Sequence, residues 1–366
     1  MRIVVEEDAI LRAVPVVLDP RTAEEHCRAT ADFYEFDEPD FPGWLARVRQ
    51  QIPGLFPAEI VFARDEADLI AKIVDADALI VESFLVNESV LAHAGKLKIV
   101  QKFGGVAPNI DAAACLARGV RVSVQRRRVN IAVAEQAMAL MLALAKRICD
   151  LKGVVTESAL RGAGFDIRPF DRRYTGNSNF ARIRGFRTLA GSVLGILGLG
   201  EIGREIAARA TAFGMTVLYH QRHRIDPVEE GVLGARYVSL DALMTGSDFI
   251  APALPMNAST RGIIGPAQLQ RVKPGALLIN VTRAELVDHD ALVDALKSGR
   301  LGGFALDVGY KEPTPLDEPL LSFTGGNVIL MPHTAVAERR NNLDDMEEMC
   351  LKLWRGTVGR VAPLAR

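Results

Sequence analysis

The sequence predicts an α/β protein made of two doubly wound parallel-sheet domains, and three observations carry that reading. Short β-branched runs alternate with helix-length segments, as they do where parallel strands are buried on both faces. One of these runs leads straight into Gly198-Leu199-Gly200-Glu201-Ile202-Gly203. The alternation comes in two series, separated by a stretch of different character, and 366 residues are enough for two such domains.

The first series has strand candidates at residues 14–19, 60–63, 78–81, 97–101 and 120–124. A long helix is predicted over residues 131–148. Ala, Leu and Met cover most of its surface, as expected for a helix buried between domains or against a second subunit. Residues 150–187 then mix Arg161, Arg168, Arg172, Arg173, Arg182, Arg184 and Arg187 with Gly, Asn and Ser and show little periodicity, so they read as an arm or long connection. The second series opens at Ser192, with strand candidates at residues 193–197, 216–219, 249–254, 276–281, 303–308 and 328–331.

Composition excludes several function classes. Forty-four basic residues against 45 acidic ones leave a net charge of -1, so no global field draws the molecule to nucleic acid or to a membrane surface. The first residues lack the apolar core of a leader, and the most apolar helical stretch carries Glu135, so no membrane span is expected. Cys27, Cys115, Cys149 and Cys350 lie far apart and form no metal-binding or disulfide pattern; they read as reduced thiols of a cytoplasmic protein, with no metal site.

The glycine run is a dinucleotide fingerprint in its proper context. A strand precedes it, and the helix it opens has Ile202, Ile206, Ala210 and Phe213 near one face and ends at Gly214. The first glycine permits the tight turn, the second admits a pyrophosphate to the backbone amides, and the third lets helix pack on strand. An acid at the end of the next strand would hold the ribose 2′-hydroxyl of NAD. Here that strand runs into His220-Gln221-Arg222-His223-Arg224, so Gln221 and Arg222 point to NADP, or to use of both NADP and NAD. His220 and His223 read as ordinary loop residues.

Three later strands end in residues that carry chemistry. Arg283 follows one and can fork onto a carboxylate, Glu312 follows the next, and His333 follows the last. A histidine bonded to a carboxylate can give a proton to a ketone oxygen as hydride arrives, and take it back in reverse.

With these pieces in order the sequence resembles the D-isomer-specific 2-hydroxyacid dehydrogenases. The matching segments are Lys102-Phe-Gly-Gly-Val-Ala-Pro-Asn-Ile-Asp111, Val133-Ala-Glu135, residues 198–203, Leu254-Pro255 with Thr260-Arg-Gly, and residues 280–288, 307–313 and 331–335. The resemblance implies a flavodoxin-like substrate domain, residues 1–130 completed by 334–366, and a Rossmann dinucleotide-binding domain, residues 131–333. It implies that Arg283 binds the substrate carboxylate, His333 is the acid/base and Glu312 orients it. Asp307 and Thr282 would lie near the nicotinamide, Leu254, Pro255 and Thr260 would also line the cofactor, and Gly104 and Gly105 would offer backbone amides to the substrate. The implied partner is a small 2-keto or 2-hydroxy acid, and the implied assembly a homodimer formed through the long helix. Val106, Pro108 and Ala284 depart from the family pattern, as does the charged run Gln125-Arg-Arg-Arg-Val-Asn130. A dinucleotide-sensing interaction protein and a formate- or phosphite-type dehydrogenase on the same fold are the alternative readings; Glu312 beside the histidine speaks against formate, where glutamine is usual.

Overall fold

The computed structural model describes residues 1–324 and 326–358, and the chain divides into two compact units, residues 1–130 with those from 338 onward, and residues 131–337. The first unit holds a five-stranded parallel sheet of β1 (Arg2–Glu6), β2 (Glu59–Ala63), β3 (Ala78–Val81), β4 (Ile99–Lys102) and β5 (Arg121–Ser123) in the order β2-β1-β3-β4-β5. The order reverses between β1 and β3, so the carboxyl ends of these two strands mark the crevice where such sheets take ligands. Two buried clusters cover its faces, one centred on Trp44, Ile52 and Leu353, the other on Leu69, Ile73 and Cys115.

The strand between β2 and β3 is Arg2–Glu6, and the run at residues 14–19 expected as a strand is instead the helix Val14–Leu18. All five of its residues are buried and Pro15 sits in its first turn, where a missing N–H costs nothing. So short an apolar run has no periodicity to separate buried helix from buried strand.

The second unit holds a seven-stranded parallel sheet: β6 (Val193–Leu197), β7 (Thr216–His220), β8 (Ala235–Tyr237), β9 (Phe249–Pro252), β10 (Ala276–Asn280), β11 (Leu301–Leu306) and β12 (Val328–Leu330), in the order β12-β11-β10-β9-β6-β7-β8. The reversal falls between β6 and β9, which puts the fingerprint turn after β6 at the switch point. The short edge strand β8 is not among the sequence expectations.

The long helix runs over Arg128–Ala145, not to residue 148, because Arg147 takes a left-handed φ of 52° before a separate short helix, Ile148–Leu151. Much of its apolar surface packs within its own unit. By length and composition it could cross a membrane, yet 56% of it is buried, and Val133, Ala134, Ala137, Met141 and Leu144 lie in the core of the seven-stranded unit itself. The arginine-rich stretch contains the helix Glu157–Gly162 and is otherwise irregular. Arginines tie the stretch to itself and to the sheet unit: Arg182 stacks 3.7 Å over Phe170 and donates to the Arg168 carbonyl, Arg173 pairs with Asp171, and Arg187 donates to the carbonyl of Gly275, just before β10.

Candidate active site

The fingerprint turn is built by close approach. Gly198 takes φ +94°, and a Cβ there would sit 2.7 Å from the Ala253 carbonyl oxygen. A Cβ on Gly203 would sit 2.1 Å from the Gly198 carbonyl oxygen, so the helix Glu201–Ala212 can lie against the strand only without a side chain at that position. Gly200, by contrast, faces open space, and it begins the helix without any side-chain cap. Open space in front of an uncapped helix start is what a pyrophosphate requires, so these residues fit a dinucleotide. Gly203→Ala is expected to cost about 1–3 kcal/mol of stability and to weaken NAD(P)H binding at least tenfold; a thermal melt and a fluorescence titration check both.

At the end of β7, Gln221 accepts the Leu199 amide at 2.8 Å and donates to the His223 carbonyl at 2.7 Å, which joins the reader loop to the fingerprint turn. Arg224 is engaged by Glu230, whose carboxylate also accepts the Tyr219 hydroxyl at 2.6 Å. These partners, Arg224 first, hold the Glu230 carboxyl well below the usual range. Arg222 is exposed. His220 bonds the Val238 carbonyl through Nδ1, an ordinary structural contact. Leu254 packs against Gly198, and the Thr260 hydroxyl donates to the Pro255 carbonyl at 2.6 Å, closing the loop that follows β9.

The chemical residues stand on three adjacent strand ends. After β10, the fully buried Asn280 accepts the Thr282 amide at 3.1 Å and donates to the Arg283 carbonyl at 2.8 Å. The Thr282 hydroxyl donates to the Pro252 carbonyl at the end of β9. This turn presents Arg283 as an exposed residue whose Nη1 donates to the Thr282 carbonyl at 2.9 Å. After β11, Asp307 is fully buried, and its carboxylate accepts the amides of Thr334 at 3.0 Å and Ala335 at 2.9 Å, together with the Gln136 side chain at 3.3 Å. Its carbonyl accepts the His333 amide at 2.8 Å. Asp307 therefore grips the backbone on both sides of His333, which takes a left-handed φ of 55°, a conformation that persists only where surroundings impose it.

His333 Nδ1 lies 3.0 Å from Glu312 Oε2, and Glu312 Oε1 accepts the Gly309 amide at 3.0 Å. Partial burial works against the charge on Glu312. The hydrogen bonds from His333 and Gly309 and the nearby positive charges, Arg283 included, outweigh it and hold the carboxyl below its ordinary value. Both side chains remain about two-fifths exposed, open to a reactant. Sequence reasoning assigned no role to Asn280, although a polar residue closing a fully buried apolar strand was a visible signal.

A family model described as the NAD-binding domain of D-isomer specific 2-hydroxyacid dehydrogenases matches residues 138–335, more than half of the chain. The chain belongs to that family. It is an oxidoreductase of hydroxy acids that uses a nicotinamide cofactor. The dehydrogenase is 34% identical over 318 residues to a glyoxylate reductase of Korarchaeum cryptofilum, covering 82% of this chain and 88% of the relative. It is 34% identical over 281 residues to a glyoxylate reductase of Thermococcus litoralis, covering 76% and 80%. Among solved structures, the PH0520 protein from Pyrococcus horikoshii superposes with a TM-score of 0.59 at 25% identity, covering 97% of this chain and 91% of that one.

Proposed function

We propose that this dehydrogenase reduces a small 2-keto acid to the D-2-hydroxy acid, with His333 as acid/base, Glu312 as its orienting carboxylate and Arg283 as the holder of the substrate carboxylate. The observation that carries the reading is the 3.0 Å pair of His333 and Glu312 on strand ends next to the one that presents Arg283. When bound, the nicotinamide cofactor supplies or accepts the hydride. Glu312 accepts from Nδ1, which leaves Nε2 to carry the proton exchanged with the substrate oxygen. Arg283 keeps donors free for a planar carboxylate. Asp307 and Asn280 act as positioning residues, one for the His333 turn and the other for the Arg283 turn. Two relatives named glyoxylate reductase favour a short acid.

The cofactor reading is NADPH, or NADPH and NADH together. Gln221 brings no negative charge to the ribose position, and Arg222 is exposed with no carboxylate partner among the described residues, whereas Arg224 is held by Glu230. Arg222→Ala is expected to lower the ratio of kcat/KM with NADPH to that with NADH at least about tenfold, the loss of one charge-assisted contact. A ratio unchanged within threefold in steady-state kinetics would remove Arg222 from the reader.

The same reading takes the enzyme as a cytoplasmic homodimer. Its four cysteines are free thiols, and Val155, Tyr174 and Phe186 of the arginine-rich stretch leave apolar surface uncovered, which a second copy would bury.

A further inference from the structure

Glu312 lies in a segment, residues 308–318, that follows Asp307 and has no helix or strand of its own. Residues 311–314 are exposed, so packing alone does not fix the Glu312 carboxylate. Two side-chain bonds tie the segment back to the start of the helix His289–Lys297. The Tyr310 hydroxyl donates to the Val287 carbonyl at 2.9 Å, and His289 Nε2 lies 2.8 Å from Glu318 Oε1. The His289 and Tyr310 rings also meet edge to face, 4.7 Å between centroids and 88° between planes, so the two ties are joined.

The base of this clamp is itself held, and it continues directly from Arg283. The Val287 amide donates to the Ala284 carbonyl at 3.0 Å and the Asp288 amide to the Ile264 carbonyl at 3.0 Å, while Asp288 caps the helix by accepting the Ala291 amide at 2.9 Å. The bond across the clamp is charge-assisted. Both nitrogens of His289 meet carboxylates, Nε2 at Glu318 and Nδ1 3.3 Å from Asp290, and only the protonated ring has a donor for each. Burial works against that charge; the bonds to Glu318 and Asp290 outweigh it and keep the ring protonated to higher pH than usual.

From the clamp to the His333 ring the contacts are continuous. Tyr310 adjoins Gly309, the Gly309 amide donates to Glu312 Oε1 at 3.0 Å, and Glu312 Oε2 meets His333 Nδ1 at 3.0 Å. The turn is tight, since a Cβ on Gly309 would sit 3.0 Å from the Lys311 carbonyl oxygen. We infer that His289, through Tyr310 and Glu318, is a positioning residue for Glu312: it clamps the 308–318 segment so that the carboxylate stays on His333 Nδ1. The inference rests on the reading above, in which Glu312 orients the acid/base.

The test is a double-mutant cycle in kcat. His289→Phe keeps an aromatic ring against Tyr310 and removes the bond to Glu318. It is expected to lower kcat about tenfold, with NAD(P)H binding and half-saturation by the keto acid within about threefold of wild type. In a Glu312→Gln background the same change should lower kcat by less than about twofold, and His289→Gln, which still places a donor at Glu318, should recover part of the loss. An unchanged kcat in His289→Phe, or an equal loss in both backgrounds, overturns the clamp. If no keto acid is reduced, the functional reading fails and limited proteolysis decides the clamp alone. Trypsin cutting after the exposed Lys311 at least about fivefold faster in His289→Phe than in wild type upholds it, and equal rates refute it. Thermal melts show that each variant folds; if His289→Phe does not, Tyr310→Phe, which removes only the hydroxyl bond to Val287, takes its place in both comparisons with the same outcomes.

Discussion

Replacing His333 is expected to lower kcat/KM by about 10²–10⁴-fold, the range over which a positioned general acid contributes, while NAD(P)H binding stays at the wild-type level. The expectation follows from geometry. The ring is oriented by the 3.0 Å bond from Nδ1 to Glu312, and its backbone is fixed by Asp307 through the amides of residues 333, 334 and 335. The dinucleotide fingerprint lies on a different strand end, so its hold on the cofactor does not depend on the imidazole. Alanine at φ 55° would add a backbone penalty of its own. His333→Asn is therefore the sharper variant, since asparagine enters the left-handed region readily and offers no comparable proton donor. Steady-state rates beside a fluorescence titration of the cofactor check both parts, and turnover within threefold of wild type in His333→Asn would remove His333 from the chemistry.

Arg283→Ala is expected to lower kcat/KM by about 10²–10⁴-fold, with most of the loss in KM. The guanidinium has five N–H donors, and one is engaged by the Thr282 carbonyl. A carboxylate meeting two of the others makes two charge-assisted hydrogen bonds at about 1.5–3 kcal/mol each. Arg283→Lys should recover little, because an ammonium cannot reproduce the planar fork. Substrate saturation curves decide the matter: unaltered half-saturation in Arg283→Ala would show that the acid is held elsewhere.

Much of the nucleotide-binding unit is legible in the sequence because a buried parallel strand leaves an apolar run and the glycine fingerprint fixes where the first one ends. The strand at 193–197 coincides with β6, and the other five runs of that series fall on β7, β9, β10, β11 and β12. What escapes the sequence has a physical reason in each case. Ala235–Tyr237 is three residues at a sheet edge and has no apolar run to show. Val14–Leu18 is buried on all sides, so helix and strand share one pattern there. The long helix reads as an interface because an apolar surface does not say what covers it; Val133, Ala134, Ala137, Met141 and Leu144 are covered within its own unit.

The site divides along the same line. Arg283, Glu312 and His333 are visible as reactive side chains after strands, whereas the bonds that aim them run from Asp307 and Asn280 to backbone amides and carbonyls, which any residue carries. The same holds for Arg222 and Arg224: the sequence offers two equivalent guanidiniums, and only the fold shows that Glu230 engages one of them.

The most direct test of the central claim is absorbance at the nicotinamide band for the purified protein with NADPH and NADH in parallel, against glyoxylate, hydroxypyruvate, pyruvate and a bulkier aromatic keto acid. The account predicts oxidation of reduced cofactor with at least one short acid, at least as fast with NADPH as with NADH, and a product of D configuration. Tight binding of both cofactors without oxidation by any of these acids would contradict it.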